Sequence, residues 1–180
     1  MTEFTLYTAD NASEVAKPLL ANSVAAFGML PNLHAVMAEA PTLLEGYQVL
    51  HELFQKTSFN AEELTVVWQS INVEHNCHYC VPAHSGIAEA MKVDQSIVDA
   101  LVNKTALANP KLEALRETTL AMARERGVIS DAQIETFFAA GYGKQQLLEI
   151  ILGLSQKVMS NYTNHLANTP VDNAFKKYIK

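Results

Sequence analysis

The chain has 180 residues, of which 49% are hydrophobic and only 18% are charged, and its formal net charge is −6 at pH 7. This length suits one domain that buries a core without disulfide bonds, so we expect a single domain over residues 1–180. The acidic balance argues against binding to nucleic acid or to an anionic membrane surface. The shortage of charge indicates that some surface is buried against other subunits, which predicts a homo-oligomer.

The first ten residues, Met1 to Asp10, lack the basic start, the apolar segment and the cleavage site of a signal peptide. No run of about 18 apolar residues is present, so we expect no membrane span. These features predict a cytoplasmic protein. In that compartment a closely spaced pair of cysteines, such as Cys77 and Cys80, is more typical of catalysis or metal binding than of a structural disulfide.

Almost every segment has the apolar periodicity of an α-helix, and the alternation typical of strands is nearly absent. The pattern therefore predicts an all-α domain of about eight helices. Pro18 is expected to kink the first of them. In chain order, the predicted helices cover residues 12–27, 33–40, 41–56, 61–73, a segment from 77–81 to about 91, a segment from 94–96 to 102, 111–126, 132–140 and 144–166.

Residues 74–84 hold both cysteines and three of the six histidines. On a helix, Cys77, Cys80 and His84 would share one face. Because proline is tolerated only in the first turn, Pro82 predicts that this helix begins between Cys77 and Val81, where its dipole favours a thiolate. The spacing predicts that Cys80 is a nucleophile with His84 as its base, and that Cys77 closes a disulfide with the oxidised Cys80.

A zinc site is the main alternative for this segment, with Cys77, Cys80 and His84 as ligands and His75 or His78 as the fourth. Structural zinc normally joins separated segments, and a site within ten residues would close no loop. A further alternative gives the segment no chemical role, with both cysteines as small buried side chains and His84 as a surface residue. We favour the redox interpretation and expect no metal and no cofactor.

The segment from Asn76 to Ser85, Asn-Cys-His-Tyr-Cys-Val-Pro-Ala-His-Ser, resembles the core of the alkylhydroperoxidase D-like, carboxymuconolactone decarboxylase-like superfamily. The resemblance implies an all-helical fold in trimers or hexamers, with a redox core at about residues 58–92. It also implies a peroxidase in which His84 activates Cys80 and Cys77 is the disulfide partner. The decarboxylases lack the cysteine pair, so lactone decarboxylation is not expected. The resemblance extends to residues 27–32, 40–41, 138–142, 148–149 and 160–165.

Two positions depart from the pattern of that superfamily. Its best-known members have a histidine just before the second cysteine, where this chain has Tyr79. They also have a proton-relay glutamate twelve residues before the first cysteine, where this chain has Thr65. The candidates that replace this relay are Glu62, Glu63 and Glu74.

Two aromatic side chains are candidates for a pocket beside the thiols. Trp68 and Tyr79 are candidates to line it, although a tryptophan at helical spacing is more often part of the core. Glu149 on the last helix could also replace the relay, although a carboxylate at such a position is more often part of a satisfied structural pair. His34 and His51 are interpreted as surface or rim residues.

Together these observations predict a thiol peroxidase that reduces a hydroperoxide and is regenerated by a dithiol reductant. One alternative is a redox-sensing or binding protein whose dithiol is oxidised without turnover. Another is a lyase or isomerase that acts on a cyclic acid in the same pocket.

Overall fold

The computed structural model describes residues 3–179. Within that range the chain is all-helical, as predicted, with nine α-helices that correspond to the nine predicted segments and an additional C-terminal 3-10 helix. No helix in the described range is long and apolar enough to cross a membrane. The α-helices are α1 (Ala16–Phe27), α2 (Asn32–Met37), α3 (Pro41–Gln55), α4 (Ala61–Glu74), α5 (Cys80–Ala90), α6 (Gln95–Val102), α7 (Pro110–Arg124), α8 (Asp131–Ala139) and α9 (Lys144–Ala167), and the 3-10 helix is Asn173–Tyr178.

Helix starts follow the capping residues in the sequence. Asn60 accepts a hydrogen bond from the Glu63 amide, and the Glu63 side chain accepts one from the Asn60 amide, which completes a capping box before α4. The side chains of Asp94 and Ser130 likewise accept a hydrogen bond from a backbone amide in the first turn, and so cap α6 and α8. The predicted kink at Pro18 is wrong, because α1 begins at Ala16 and places the proline in its first turn.

Helix α4 is the centre of the fold and packs against α5, α6, α7 and α9. Its Val66, Val67, Trp68 and Ile71 side chains are fully buried. The indole Nε1 of Trp68 donates to Gln156 Oε1 of α9 at 2.7 Å, so the polar edge of this core residue is also satisfied. Burial of a face this wide explains why α4 carries few charged side chains after its first turn.

Helix α9 packs against α3 and α4, and Gly153 lies at this contact. A Cβ atom at that position would lie 2.7 Å from Cε2 of Phe54 and 3.0 Å from Cγ1 of Val67. A glycine is therefore required for these helices to pack at this distance. The close packing brings the second half of α9 against the turn between α4 and α5.

The segment after Pro170 folds back over α5 and forms the 3-10 helix. Phe175 and Tyr178 pack against Gly86 of α5, where they would lie 2.9 Å from an added Cβ atom. Lys177 and Tyr178 also contact Glu89 at the end of that helix. The C-terminal segment thus covers the helix that begins at Cys80.

Candidate active site

The turn between α4 and α5 brings the two cysteines together at a helix start. Helix α4 ends at Glu74, Asn76 adopts a left-handed conformation with φ of 52°, and α5 begins at Cys80. The Cys80 amide donates to Cys77 Sγ at 3.2 Å. The predicted start of α5 is confirmed. The predicted stripe is wrong for Cys77, which lies before the helix rather than on its face.

Both thiols are buried, with Cys77 at 0% and Cys80 at 2% exposure. The side-chain amide of Asn164 lies 3.2 Å from Cys80 Sγ and 3.9 Å from Cys77 Sγ. Burial raises the pKa of Cys80, but the thiol of Cys77, the charge of Lys157 and the amide of Asn164 outweigh it and lower that pKa to about 6. Hydrogen bonding to Cys80 and burial raise the pKa of Cys77. Cys80 is therefore the thiolate of the pair.

Lys157 of α9 is the cation of this site and is fully buried. Its Nζ lies 2.7 Å from Nε2 of His84. Burial lowers the pKa of Lys157, while the charges of Cys80 and Cys77 act in the opposite direction. A lysine so placed is stable only with partners, and here these are a thiolate and an imidazole.

His84 contacts Lys157 rather than Cys80 among the hydrogen bonds of the described residues. Its ring lies 5.0 Å from that of Trp68, and its Nδ1 is buried without a hydrogen-bond partner in the described range. Burial and the charge of Lys157 hold the pKa of His84 well below its usual value, so the ring is neutral at pH 7. A neutral imidazole next to the dithiol is able to accept a proton, and the role of His84 as base stays a prediction.

A chain of buried amides fixes the position of the turn. Asn161 of α9 donates to Asn72 at 3.0 Å, and Asn72 donates to Gln69 at 3.0 Å. Gln69 in turn donates to the Val81 carbonyl and to Ser85 of α5, each at 3.1 Å. Side chains from three helices therefore hold the start of α5 in place beside the thiols.

A cavity of about 50 Å³ opens beside the nucleophile. Cys80, His84, Lys157 and Tyr79 line it, and Trp68 lies behind His84 rather than at its wall. A larger groove of about 660 Å³ between α7 and α8 includes neither cysteine. Since one water molecule occupies about 30 Å³, the small cavity admits one or two molecules of that size. Other side chains that line it are Phe27, Leu33, His34, Tyr47, His51, Ala83, Ile87 and Phe175.

Tyr79, between the cysteines, is also a structural anchor. Its hydroxyl donates a short hydrogen bond to Asp172 and accepts one from the Leu33 amide at 3.3 Å. Burial and the neighbouring carboxylate raise the pKa of Tyr79, which keeps the phenol protonated. The residue thus ties the C-terminal segment and α2 to the dithiol turn.

The structure does not bring the three candidate relay carboxylates to the dithiol. Glu63 caps α4 and pairs with Lys111 at 3.1 Å, and Glu74 pairs with Arg124 at 2.7 Å. Glu62 lines a surface groove near Asp94. Among the described contacts none of the three meets a cysteine, so a relay through them stays a prediction. Glu149, the further candidate, accepts hydrogen bonds from Ser58 instead.

The two remaining histidines of the motif bind elsewhere. His75 Nδ1 lies 2.8 Å from Asn161 Oδ1, and His78 Nε2 lies 2.9 Å from the Thr169 carbonyl. Within residues 3–179 no group of three histidine, cysteine, aspartate or glutamate side chains is arranged to hold a metal ion. Both histidines therefore serve to fix the turn against α9 and the segment that follows it.

His34 is buried at 3% exposure, so its interpretation as a surface or rim residue is wrong, whereas His51 is half-buried and lines the cavity. Their rings form a cluster with Phe27, Tyr47 and Trp68. The centroid distances are 5.4 Å for Phe27–His34, 5.4 Å for His34–Tyr47, 6.2 Å for Tyr47–His51 and 5.6 Å for His51–Trp68. This cluster closes the cavity on the side of α1 and α3.

Comparison with solved structures identifies the fold. The chain superposes with a TM-score of 0.83 and 15% identity on an alkylhydroperoxidase AhpD core, an uncharacterized peroxidase-related protein from Ralstonia eutropha JMP134, over 97% of this chain and 96% of that one. An uncharacterized peroxidase-related protein from Silicibacter sp. TM1040 superposes with a TM-score of 0.81 and 16% identity, over 97% of this chain and 95% of that one. The debrominase Bmp8, in complex with 2,3,4-tribromopyrrole, superposes with a TM-score of 0.82 and 17% identity, over 100% of this chain and 98% of that one.

These identities show the fold alone, and at that level the resemblance to alkylhydroperoxidase D-like proteins is confirmed. No family model matches the chain. No curated protein matches it either. The chemistry must therefore be argued from the side chains at the site.

Proposed function

We propose that the chain is a thiol-disulfide oxidoreductase that reduces hydroperoxides. The observation that carries this proposal is the environment of Cys80, a buried thiol with a pKa of about 6 beside a buried lysine and a second thiol. At pH 7 such a thiol is mostly thiolate, which is the reactive form. The cavity next to it has room for a peroxide group and little more.

In the first step the Cys80 thiolate attacks the outer oxygen of the hydroperoxide. The sulfur–oxygen bond forms as the oxygen–oxygen bond breaks, which leaves a sulfenic acid and releases an alkoxide that takes up one proton. The ammonium of Lys157 is the proton donor within the cavity. We assign His84 as the base for the molecules in which Cys80 is still protonated, and it returns that proton to Lys157 once the lysine has given its own to the alkoxide.

In the second step the Cys77 thiol attacks the sulfur of the sulfenic acid, forming the disulfide and releasing water. Cys77 is suited to this role because its raised pKa keeps it protonated until Cys80 is oxidised. A dithiol reductant then restores both thiols and becomes a disulfide itself. The cycle consumes two electrons from the reductant for each hydroperoxide and requires no cofactor.

Serine substitutions separate the two cysteine roles. We expect Cys80→Ser to lose dithiothreitol-dependent consumption of hydrogen peroxide by about 10³-fold or more. Cys77→Ser should instead form a single equivalent of sulfenic acid on Cys80, detected by intact-protein mass spectrometry as one added oxygen. Consumption by Cys80→Ser at the wild-type rate would exclude the proposal. A wild-type disulfide that forms stoichiometrically but never turns over would indicate the redox-sensing alternative.

Reductive dehalogenation of an aromatic ring is a second candidate, because the debrominase of the same fold binds a bromopyrrole and this cavity is lined by aromatic rings. Attack of the Cys80 thiolate on the halogen, with protonation of the ring carbon, would give a sulfenyl halide. Cys77 would then displace halide and form the disulfide. The cavity of about 50 Å³ favours the peroxide, since a brominated ring needs more space.

We also propose that the chain forms a homo-oligomer, a trimer or hexamer as the resemblance implies. Helix α9 supports this, because its outer face exposes the apolar side chains Leu148, Ile151, Tyr162 and Leu166 at helical spacing. Light scattering of the purified chain would measure its mass directly, and a monomer would exclude this proposal.

A further inference from the structure

Both cysteines are enclosed in the reduced chain, so the reducing half of the proposed cycle requires an opening. Cys77 is 0% and Cys80 is 2% exposed. The cavity beside Cys80 has a volume of about 50 Å³, which admits one or two water molecules or a peroxide group. A dithiol is several times larger, yet one of its sulfur atoms must reach the disulfide to reduce it. A wall of the cavity must therefore move during each cycle.

The C-terminal segment forms one wall of this cavity. The ring of Phe175 lines the cavity together with Cys80. Phe175 belongs to the 3-10 helix Asn173–Tyr178, which lies on α5 at Gly86. The structure describes all six residues of this short helix, and none of them is fully buried. An element that buries so little surface opens at a low cost in free energy.

The segment has a firmly bound base and a weakly held tip. At the base, the buried carboxylate of Asp172 accepts hydrogen bonds from the Tyr79 hydroxyl and from the first amide of α2. At the tip, Lys177 and Tyr178 donate to Glu89 at 3.2 and 2.8 Å. The Lys177 and Glu89 side chains are both more than half exposed, and an ion pair in water contributes little stability. The tip is therefore free to move away from α5 while Asp172 stays in place.

Another wall of the cavity is held more firmly. Phe27 also lines the cavity, but it ends the twelve-residue helix α1, which buries Ala16 and Leu20 in the core. Its ring also packs edge-on against that of His34, with the centroids 5.4 Å apart. Displacing this wall breaks buried contacts, whereas displacing Phe175 breaks only half-buried ones.

We propose that residues 173–179 form a gate, closed by Phe175, through which a dithiol reductant reaches Cys80. This inference rests on the proposed peroxidase cycle and concerns its second substrate. When the gate is open, a thiolate of the reductant attacks the Cys80 sulfur of the disulfide and releases Cys77, and the second thiol of the reductant then displaces Cys80. Two electrons and two protons pass from the dithiol to the protein. Hydrogen peroxide fits the closed cavity and needs no opening.

Gly86→Ala is expected to displace the gate. In the closed position the added Cβ atom would lie 2.9 Å from both Phe175 Cδ1 and Tyr178 Cε2, so the tip must move. Gly46→Ala is the matched control. It also adds a methyl group within a helix, but that group would meet only Met159 Cε at an ordinary contact distance of 3.4 Å.

Phe175→Ala is the second variant, because it removes the gating ring, and Phe27→Ala is its counterpart on α1. Each chain is oxidised to the disulfide with diamide and reduced with dithiothreitol, and its free thiols are counted by mass spectrometry after denaturing alkylation. We expect Gly86→Ala and Phe175→Ala to be reduced about tenfold faster than the wild type, since the rate follows the fraction of open molecules. Gly46→Ala and Phe27→Ala should be reduced at the wild-type rate.

Unchanged reduction of Gly86→Ala and Phe175→Ala would overturn the proposal. Faster reduction of Phe27→Ala alone would also overturn it, because the entry would then lie at α1. An equal acceleration in Gly46→Ala would do the same, since it would indicate general loosening of the fold. Should Gly86→Ala not fold, the comparison of Phe175→Ala with Phe27→Ala decides.

Oxidation by hydrogen peroxide distinguishes failure of the gate from failure of the peroxidase. The reduced Gly86→Ala and Phe175→Ala chains should be oxidised at the wild-type rate, because peroxide enters the closed cavity. Oxidation that accelerates as much as reduction would refute a gate that acts on the larger reagent. A wild type that does not react with hydrogen peroxide would refute the peroxidase, while the reduction rates of the diamide-oxidised chains would still test the gate.

Discussion

The two halves of helix α9 face different interiors. The first half places Ile150 and Gly153 against Phe54 and Trp68 in an apolar core. The second half continues the same buried stripe, but its residues are polar, and each is fully buried: Gln156, Lys157, Ser160, Asn161 and Asn164. The buried face of α9 is therefore apolar in its first half and polar in its second half, where it lies beside the dithiol.

The difference shows where the fold is stabilised and where it is adapted to chemistry. Apolar side chains of the first half contribute stability by leaving water. Polar side chains of the second half cost free energy on burial, and each hydrogen bond returns only about 1 kcal/mol of it. The gain from the second half is the low pKa of Cys80, to which Lys157 and Asn164 both contribute.

Truncation in the first half is expected to give the largest change. Ile150→Ala should lower the free energy of unfolding by about 2–5 kcal/mol, because it leaves a cavity in the core. The neighbouring Ile151 is 47% exposed in the single chain, so Ile151→Ala, measured at a concentration where the chain is monomeric, should change that energy by no more than about 0.5 kcal/mol. Urea unfolding of both variants gives the comparison. Equal losses would mean that the two sides of α9 are not differently packed.

His84→Gln is expected to separate catalysis from thiol ionisation. Glutamine keeps an acceptor for Lys157 but cannot act as a base, so peroxide turnover should fall about 10²-fold. The pKa of Cys80 should stay near 6, since Cys77, Lys157 and Asn164 lower it. The measurements are steady-state turnover and the thiolate absorbance as a function of pH. A Cys80 pKa that returns to its ordinary value would assign the activation to His84 instead.

Lys157→Met should lower both the reactivity of the Cys80 thiol and the stability of the fold. Loss of the ammonium raises the pKa of Cys80 by about one unit or more, and the thiolate is lost as the pH falls through that value. Alkylation should therefore slow about twofold at pH 7 and about tenfold at pH 5, where the thiol is mostly protonated in both proteins. The free energy of unfolding should fall, because the substitution leaves His84 Nε2 without its donor and the buried thiolate without its cation.

Lys144→Met is the matched control for that substitution, because Lys144 begins the same helix and is exposed. It should change neither the alkylation rate nor the unfolding energy beyond about 0.5 kcal/mol. A marked destabilisation of Lys157→Met with an unshifted Cys80 pKa would mean that this lysine is structural.

Asn164→Leu is expected to have the smallest effect on the thiol. It removes one neutral donor at 3.2 Å from Cys80 Sγ and leaves the charge of Lys157 in place. The pKa of Cys80 should rise by about half a unit, as judged from the pH dependence of thiolate absorbance. A shift larger than that of Lys157→Met would reverse the order of the two contributions.

The fold and the dithiol could be predicted because local sequence carries them. Apolar periodicity and caps such as Asn60 define the helices, and Pro82 sets the start of α5 and so the place of Cys80. The prediction that Cys77 lies on the helix face is wrong because the helical periodicity of α5 does not extend to the turn before Cys80. The left-handed Asn76 ends α4 and keeps Cys77 in a turn.

The surroundings of the dithiol depend on contacts between distant helices, which one sequence does not reveal. His84 and Lys157 are 73 positions apart, and their contact follows from the packing of α5 on α9. One signal was available, since Lys157 lies on the buried stripe of α9 that includes Ile150 and Gly153. A lysine at such a position indicates a buried partner that is either negatively charged or a hydrogen-bond acceptor.

The most direct test of this account is the thiolate absorbance of the reduced wild-type chain across the pH range, with Cys80→Ser beside it. Absorbance does not require a reagent to reach a thiol that is 2% exposed. The account predicts a transition near pH 6 in the wild type that is lost from Cys80→Ser. A wild type that forms no thiolate below about pH 8, or an unchanged transition in Cys80→Ser, would contradict it.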